Sequence, residues 1–185
     1  GGPEVMTLDD VEAGTPGPGQ ALIRHGAIGV NFIDLHQRTG RYPLPDLPVT
    51  LGMEGAGTVE SIGPGVTAVA PGDRVSYVAG GHGAVPCSYA EYAVMPADSL
   101  ILLPDEIDDV TAAGMTLKGL TAQYLIRGAY PVQAGETILV HAAAGGVGLL
   151  LCQWARHLGA RVIGTVGSPE KAELALTHGC HHVIQ

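Results

Sequence analysis

The sequence predicts a mixed β and α/β fold, a strand-rich barrel or sandwich followed by part of a doubly wound parallel sheet. Three observations carry this. Short alternating segments separated by glycine and proline fill the chain as far as Pro104. Beyond Pro104 the texture changes to longer helical stretches. Within that second part, a continuous apolar run leads through a glycine-rich turn into a helix.

In chain order, residues 21–24 and 27–30 are short strand candidates. Residues 57–62 alternate apolar with other side chains and stop at Gly63-Pro64-Gly65, and 73–78 and 88–94 follow the same pattern. Residues 31–38 read as a helix ended by Gly40. After Pro104, the acids Asp105, Glu106, Asp108 and Asp109 suit the positive end of a helix dipole, and a longer helix runs through 119–127. Residues 136–141 form a strand of the kind buried in a parallel sheet. A helix over 148–157 follows, stopped by Gly159, then a strand over 161–166, a helix over 169–178 and a third strand at 182–184. The expected domains are 1–110 and 111–185. A doubly wound fold comprises two mononucleotide halves, so the remainder of that fold is expected outside this sequence.

Composition narrows the function. Of 185 residues, 46% are hydrophobic and 15% charged, which suits a compact fold rather than a disordered one. The net charge of −9, with lysines and arginines scattered singly, disfavours nucleic acid as a partner. No apolar run approaches the roughly 18–20 residues a bilayer span needs, and the first residues lack the features of a signal peptide. Three cysteines, Cys87, Cys152 and Cys180, lie far apart and form no Cys-x-x-Cys pair. That pattern fits a reducing compartment, the cytoplasm, and buried thiols rather than nucleophiles.

The turn Ala142-Ala143-Ala144-Gly145-Gly146-Val147-Gly148 joins the buried strand to its helix. Glycines there let backbone approach a pyrophosphate, and the helix start offers N–H groups and a positive dipole. Ala142 replaces the first glycine of G-x-G-x-x-G, so the strict fingerprint is not met. NAD-binding versions place an acid about 20 residues beyond the glycines, where it accepts the ribose 2′-hydroxyl. Here that position is Gly167, followed by Ser168 and Lys171, which leaves room and donors for a 2′-phosphate. The expected cofactor is NADPH. Lys171 alternatively reads as a solvated helix residue, and Glu170, the nearby carboxylate, as pointing away.

The chain resembles the medium-chain dehydrogenase/reductase superfamily, and within it the zeta-crystallin-like quinone oxidoreductases. The likeness runs through Gly29-Val30-Asn31-Phe32-Ile33-Asp34, Arg38-Thr39-Gly40-Arg41-Tyr42-Pro43, Gly52-Met53-Glu54-Gly55-Ala56-Gly57, Gly72-Asp73-Arg74-Val75, Leu117-Lys118-Gly119-Leu120-Thr121-Ala122 and the glycine turn. The resemblance implies a GroES-like β-barrel domain followed by a partial Rossmann domain, with NADPH in a cleft between them. It also implies that Asn31, Ile33 and Asp34 lie near the nicotinamide, that Tyr42 covers the substrate and that Thr121 approaches the cofactor. Asn31 could equally cap its helix, Asp34 sit in the first turn, and Tyr42 be a turn aromatic. Lys118 fits either the pocket or an ion pair. Zinc-dependent relatives use a Cys where this chain has Asn31 and a His where it has Met53, so no metal is expected.

The function so implied is metal-free reduction of quinones by NADPH, by hydride or electron transfer. The alternatives are an enoyl or alkenal reductase on the same scaffold, or an NADPH-binding structural or sensory protein with little turnover. A small-molecule partner and a homodimer are expected. The run His178-x-Cys180-His181-His182 reads as helix-end, turn and strand residues rather than a metal cluster, and His141 as a strand-end histidine bonded to backbone.

Overall fold

The computed structural model describes residues 1–44, 46–79 and 87–185. It divides into two compact units, Gly1–Leu117 and Lys118–Gln185.

The first unit carries an antiparallel sheet of β1 (Gln20–Gly29), β2 (Glu54–Ile62), β3 (Arg74–Val78), β4 (Tyr92–Pro96) and β5 (Ile101–Leu102), ordered β4-β1-β2-β3-β5. The two strands expected over 21–24 and 27–30 are one strand. Register shifts at Leu22/Ile23 and His25/Ala27 bend β1 without ending it. Inward residues of these strands, Ile23, Val59, Val75, Tyr77 and Met95, form the core. The strand expected over 88–94 starts later, at Tyr92. Upstream of it the Cys87 and Tyr89 N–H groups donate to the carbonyls of Gly52 and Leu51, which ties that segment to a loop instead of the ladder.

Helix α1 (Phe32–Thr39) follows β1, with Asn31 at its N-cap and Gly40 closing it at φ 80°. Helix α2 (Asp109–Gln123) runs into a π-helical turn, Tyr124–Ala129. Asp108 accepts the Thr111 N–H at 2.7 Å and so caps the start of α2. Ala112 and Ala113 pack on Ala56 of β2, which assigns the first turns of α2 to the first unit. The units therefore part inside α2, whereas the change of sequence texture falls at Pro104.

In the second unit, β6 (Thr137–Val140), β7 (Arg161–Thr165) and β8 (His182–Ile184) form a parallel sheet ordered β6-β7-β8. Helices α3 (Gly146–His157) and α4 (Pro169–Thr177) connect them, a β-α-β-α-β Rossmann arrangement. Val140, Val162, Cys152, Ala155 and Ala175 make its core. Helix α3 starts two residues before the glycine that the sequence suggested, because Gly145 serves as N-cap and its carbonyl accepts the Leu149 N–H at 2.8 Å. Among the described residues no helix is long and apolar enough to cross a membrane.

Candidate functional site

The link from β6 to α3 is shaped by backbone. Ala142 has φ 51° and is the non-glycine residue with positive φ among those described. This left-handed conformation costs an L-residue with a Cβ roughly 1–2 kcal/mol. It is held from both sides: the Ala142 N–H donates to Thr165 Oγ1 at 3.3 Å, and its carbonyl accepts the Gly145 N–H at 2.8 Å. A Cβ on Gly148 would run into that same carbonyl and the Ala143 backbone, so Gly148 is what lets α3 close onto the turn. A Cβ on Gly146 would lie 2.8 Å from Lys118 Cδ, so the Lys118 stem crosses the start of α3. As at any helix start, the first-turn N–H groups of Gly146, Val147 and Gly148 have no intrahelical acceptor, and with the dipole they favour an anion. An open apolar cleft of about 500 Å³ adjoins this turn, lined among others by Leu125, Leu139, His141 and Val147. His141 contacts Thr165 through Nδ1 to Oγ1 at 3.1 Å, a side-chain partner where a backbone one was expected.

At the end of β7, Gly167 is exposed and a Cβ there would meet nothing within 4 Å. Ser168 caps α4, its hydroxyl accepting the Lys171 N–H at 3.3 Å, and the Lys171 residue itself is exposed. The Glu170 carboxyl is held below the usual carboxylate range by its own backbone N–H and then by the Ser168 hydroxyl.

The first unit contributes a buried polar cluster. Asn31, Asp34 and Glu54 are 8%, 2% and 0% exposed. Asp34 Oδ2 accepts the Asn31 N–H at 2.8 Å and the Tyr89 hydroxyl at 3.1 Å, while Asp34 Oδ1 is buried without a hydrogen-bond partner. Burial first, then the Asp34 carboxylate, pushes the Tyr89 hydroxyl up to about 12. The Asn31 side chain faces elsewhere: Nδ2 donates to Glu54 Oε1 at 2.7 Å, and Glu54 Oε2 accepts the Leu117 N–H at 2.7 Å. Asn31 therefore sits at the N-cap of α1 in a capping box with Asp34, and its Nδ2 joins it to buried Glu54. Ile33 is half-buried on α1, and Tyr42, 50% exposed, meets the His36 ring edge-on at 5.2 Å. Thr121 lies on α2, in the second unit.

Sequence reasoning passed over Glu54. Its available signal was a carboxylate set among glycine and apolar residues at the start of a strand, where no solvent-facing position was evident.

The donors at the two zinc-ligand positions do not suit that metal. The Asn31 amide is committed to Glu54, and the Met53 thioether accepts from Gln37 Nε2 at 3.6 Å. Among the described residues no group of three or more His, Cys, Asp or Glu could hold a metal ion. In the run from His178, Cys180 packs against Cys152 with sulfurs 3.4 Å apart, His181 Nδ1 accepts the Val162 N–H at 3.0 Å, and His178 Nδ1 meets the Leu174 carbonyl. Burial, then the Cys180 thiol, pushes Cys152 up to about 12, and burial raises Cys87 too, so these thiols are poor nucleophiles.

The family profile described as alcohol dehydrogenase GroES-like domain matches residues 17–105, and that described as zinc-binding dehydrogenase matches residues 146–185. The quinone oxidoreductase of Pseudomonas aeruginosa is 53% identical over 184 residues, covering 100% of this chain and 55% of the relative. A 2-haloacrylate reductase from a Burkholderia species is 47% identical over 189 residues, covering 100% of this chain and 56% of the relative. The crystal structure of Escherichia coli quinone oxidoreductase complexed with NADPH superposes with a TM-score of 0.94 at 44% identity, over 100% of this chain and 56% of that one. The chain thus spans little more than half the length of the curated relatives it matches.

Proposed function

We propose that this chain is part of a medium-chain dehydrogenase/reductase and that it serves the metal-independent reduction of quinones by NADPH. The observation that carries this reading is the end of β7. Open space at Gly167 and the Ser168 hydroxyl, with an exposed Lys171 in the first turn of α4, stand where an NAD-selective site would hold a carboxylate. When bound, NADPH supplies the two electrons of the reduction.

The chain's own residues bind and orient. Gly145, Gly146, Val147 and Gly148 hold the pyrophosphate on the first turn of α3, and Ser168 and Lys171 hold the 2′-phosphate beside Gly167. Asn31, Ile33, Asp34 and Thr121 are assigned to the nicotinamide, and Tyr42 to the substrate. The catalytic contribution of Asn31 and Tyr42 is orientation and exclusion of water. Similarity to a 2-haloacrylate reductase favours a second reading, an activated alkene as the acceptor in place of a quinone.

A fluorescence titration of the full-length protein with NADPH and with NADH, repeated on Lys171→Ala, tests the cofactor assignment. A preference for NADPH of roughly tenfold or more, lost in the variant, is expected from one charge-assisted contact to phosphate. Equal affinities for the two cofactors would reduce Lys171 to a solvated surface residue. Steady-state NADPH oxidation with a quinone and with an acrylate then separates the two acceptors, and turnover of neither would leave an NADPH-binding protein without reductase activity.

A further inference from the structure

We propose that His141 is a further contact for the cofactor: the Thr165 hydroxyl holds its ring so that Nε2 offers a hydrogen to the pyrophosphate. The proposal rests on the reading of the glycine turn and the first turn of α3 as the pyrophosphate site.

The parallel register sets the pair. Val140 lies opposite Gly164 in the ladder of β6 and β7, so His141 and Thr165 come one step further, side by side where both strands end. The Thr165 hydroxyl has two neighbours. The Ala142 N–H, 3.3 Å away, can only donate, so Oγ1 accepts there. The hydroxyl hydrogen is left for His141 Nδ1 at 3.1 Å, and a neutral ring whose Nδ1 accepts carries its own hydrogen on Nε2. A protonated ring donates from Nδ1 to the second lone pair of Oγ1 and again carries a hydrogen on Nε2. An anion beside the ring favours these two forms over the tautomer with a bare Nε2.

Position supplies the anion. The Gly145 N–H returns to the Ala142 carbonyl and Gly148 packs against that same carbonyl, so the first turn of α3 folds back beside His141. His141 lines one cleft together with Gly145, Val147 and Gly148. Tying two strand ends together uses one nitrogen. His141 spends Nδ1 on Thr165, is exposed, and has no hydrogen-bond partner for Nε2 among the described residues. The N–H groups of α3 are neutral dipoles, whereas an imidazole can also carry the positive charge that strengthens a bond to phosphate. Thr165 is the positioning residue of the pair, acting on the cofactor through His141 and Ala142.

Two amide side chains separate the two ring nitrogens. Asparagine reaches only as far as Nδ1, so H141N keeps Thr165 partnered and removes the outward donor. Glutamine reaches as far as Nε2, so H141Q restores a donor there. The experiment is a fluorescence titration of full-length wild type, H141N and H141Q with NADPH and with NADH, the thermal midpoint of each cofactor-free protein checking the fold. Expected is a rise of roughly tenfold in the dissociation constants of both cofactors in H141N, with H141Q within about threefold of wild type. A loss confined to NADPH would assign His141 to the 2′-phosphate and overturn the proposal. Unchanged affinity in H141N, or binding no better in H141Q than in H141N, would reduce His141 to a strand-end tie. Gly148→Val tells this failure from that of the underlying reading. A silent H141N beside a G148V that no longer binds sinks the proposal alone, whereas a G148V that binds both cofactors like wild type sinks the pyrophosphate site and the proposal together. Should a variant fail to fold, nitrogen NMR of the imidazole in the unaltered protein carries the test: either cofactor shifts the His141 Nε2 resonance and leaves Nδ1 close to its free position. An unmoved Nε2 would overturn the proposal.

Discussion

In the glycine-rich turn the working groups are backbone amides, and side chains matter there chiefly by being absent. Around Glu54 the reverse holds: the backbone is ordinary strand and helix, and the buried side chains of Glu54 and Asp34 are tied to Asn31, through its amide and its backbone N–H, and to a tyrosine. The two regions consequently fail in different ways. The turn is broken by adding atoms, whereas the cluster is broken by isosteric changes that add nothing and reverse a donor. An E54Q substitution leaves volume unchanged and is expected to act through polarity alone; no such isosteric lesion exists for a site made of N–H groups.

The largest effect on the turn is expected from Gly148→Val. Its Cβ would meet the Ala142 carbonyl and the Ala143 backbone, neither of which is a flexible side-chain end that could move aside. Overpacking of this kind costs roughly 1–3 kcal/mol, and relief requires shifting the turn away from α3. Loss of measurable NADPH binding together with a lowered thermal midpoint is expected. A variant that keeps its affinity would show that the close approach of α3 to the turn is dispensable.

Gly167→Asp is expected to be smaller in stability and sharp in selectivity. The position is open, so the side chain is accommodated without displacement. The new carboxylate repels a 2′-phosphate and accepts a ribose hydroxyl, shifting preference toward NADH by roughly tenfold to a hundredfold. Titration with both cofactors reads it directly. An unchanged ratio would place the phosphate away from the β7 end and undo the assignment of Ser168 and Lys171.

The same contrast explains what was legible in the sequence. Gly145, Gly146 and Gly148 stand at a spacing that has a local meaning, between an apolar strand and a helix, so the turn was visible. Asn31 and Asp34 were visible as residues but not as a circuit, because their partners Glu54 and Tyr89, and Glu54's own partner Leu117, come from distant parts of the chain. The pairing of Gly29 with Glu54 depends on a register that β1 reaches only after two shifts, and nothing local to either residue announces it.

Ala142 is where the two kinds of region meet, a side chain retained in a turn built from backbone. The sequence marks it as a departure from G-x-G-x-x-G, and the structure places it at φ 51°. Ala142→Gly would remove roughly 1–2 kcal/mol of left-handed strain, while the added freedom of the unfolded chain returns about 0.4–1 kcal/mol. The net expectation is a gain of at most about 1.6 kcal/mol, read as a small rise in the denaturation midpoint at unchanged m-value. NADPH affinity should stay level, because the N–H groups proposed to meet the pyrophosphate belong to α3 and the carbonyl of residue 142 still accepts from Gly145. A loss of stability would mean that the alanine methyl packs well enough to outweigh its conformation. A gain accompanied by weaker binding would mean that the strain itself holds the turn in its cofactor-ready shape, and the backbone site would then depend on a side chain after all.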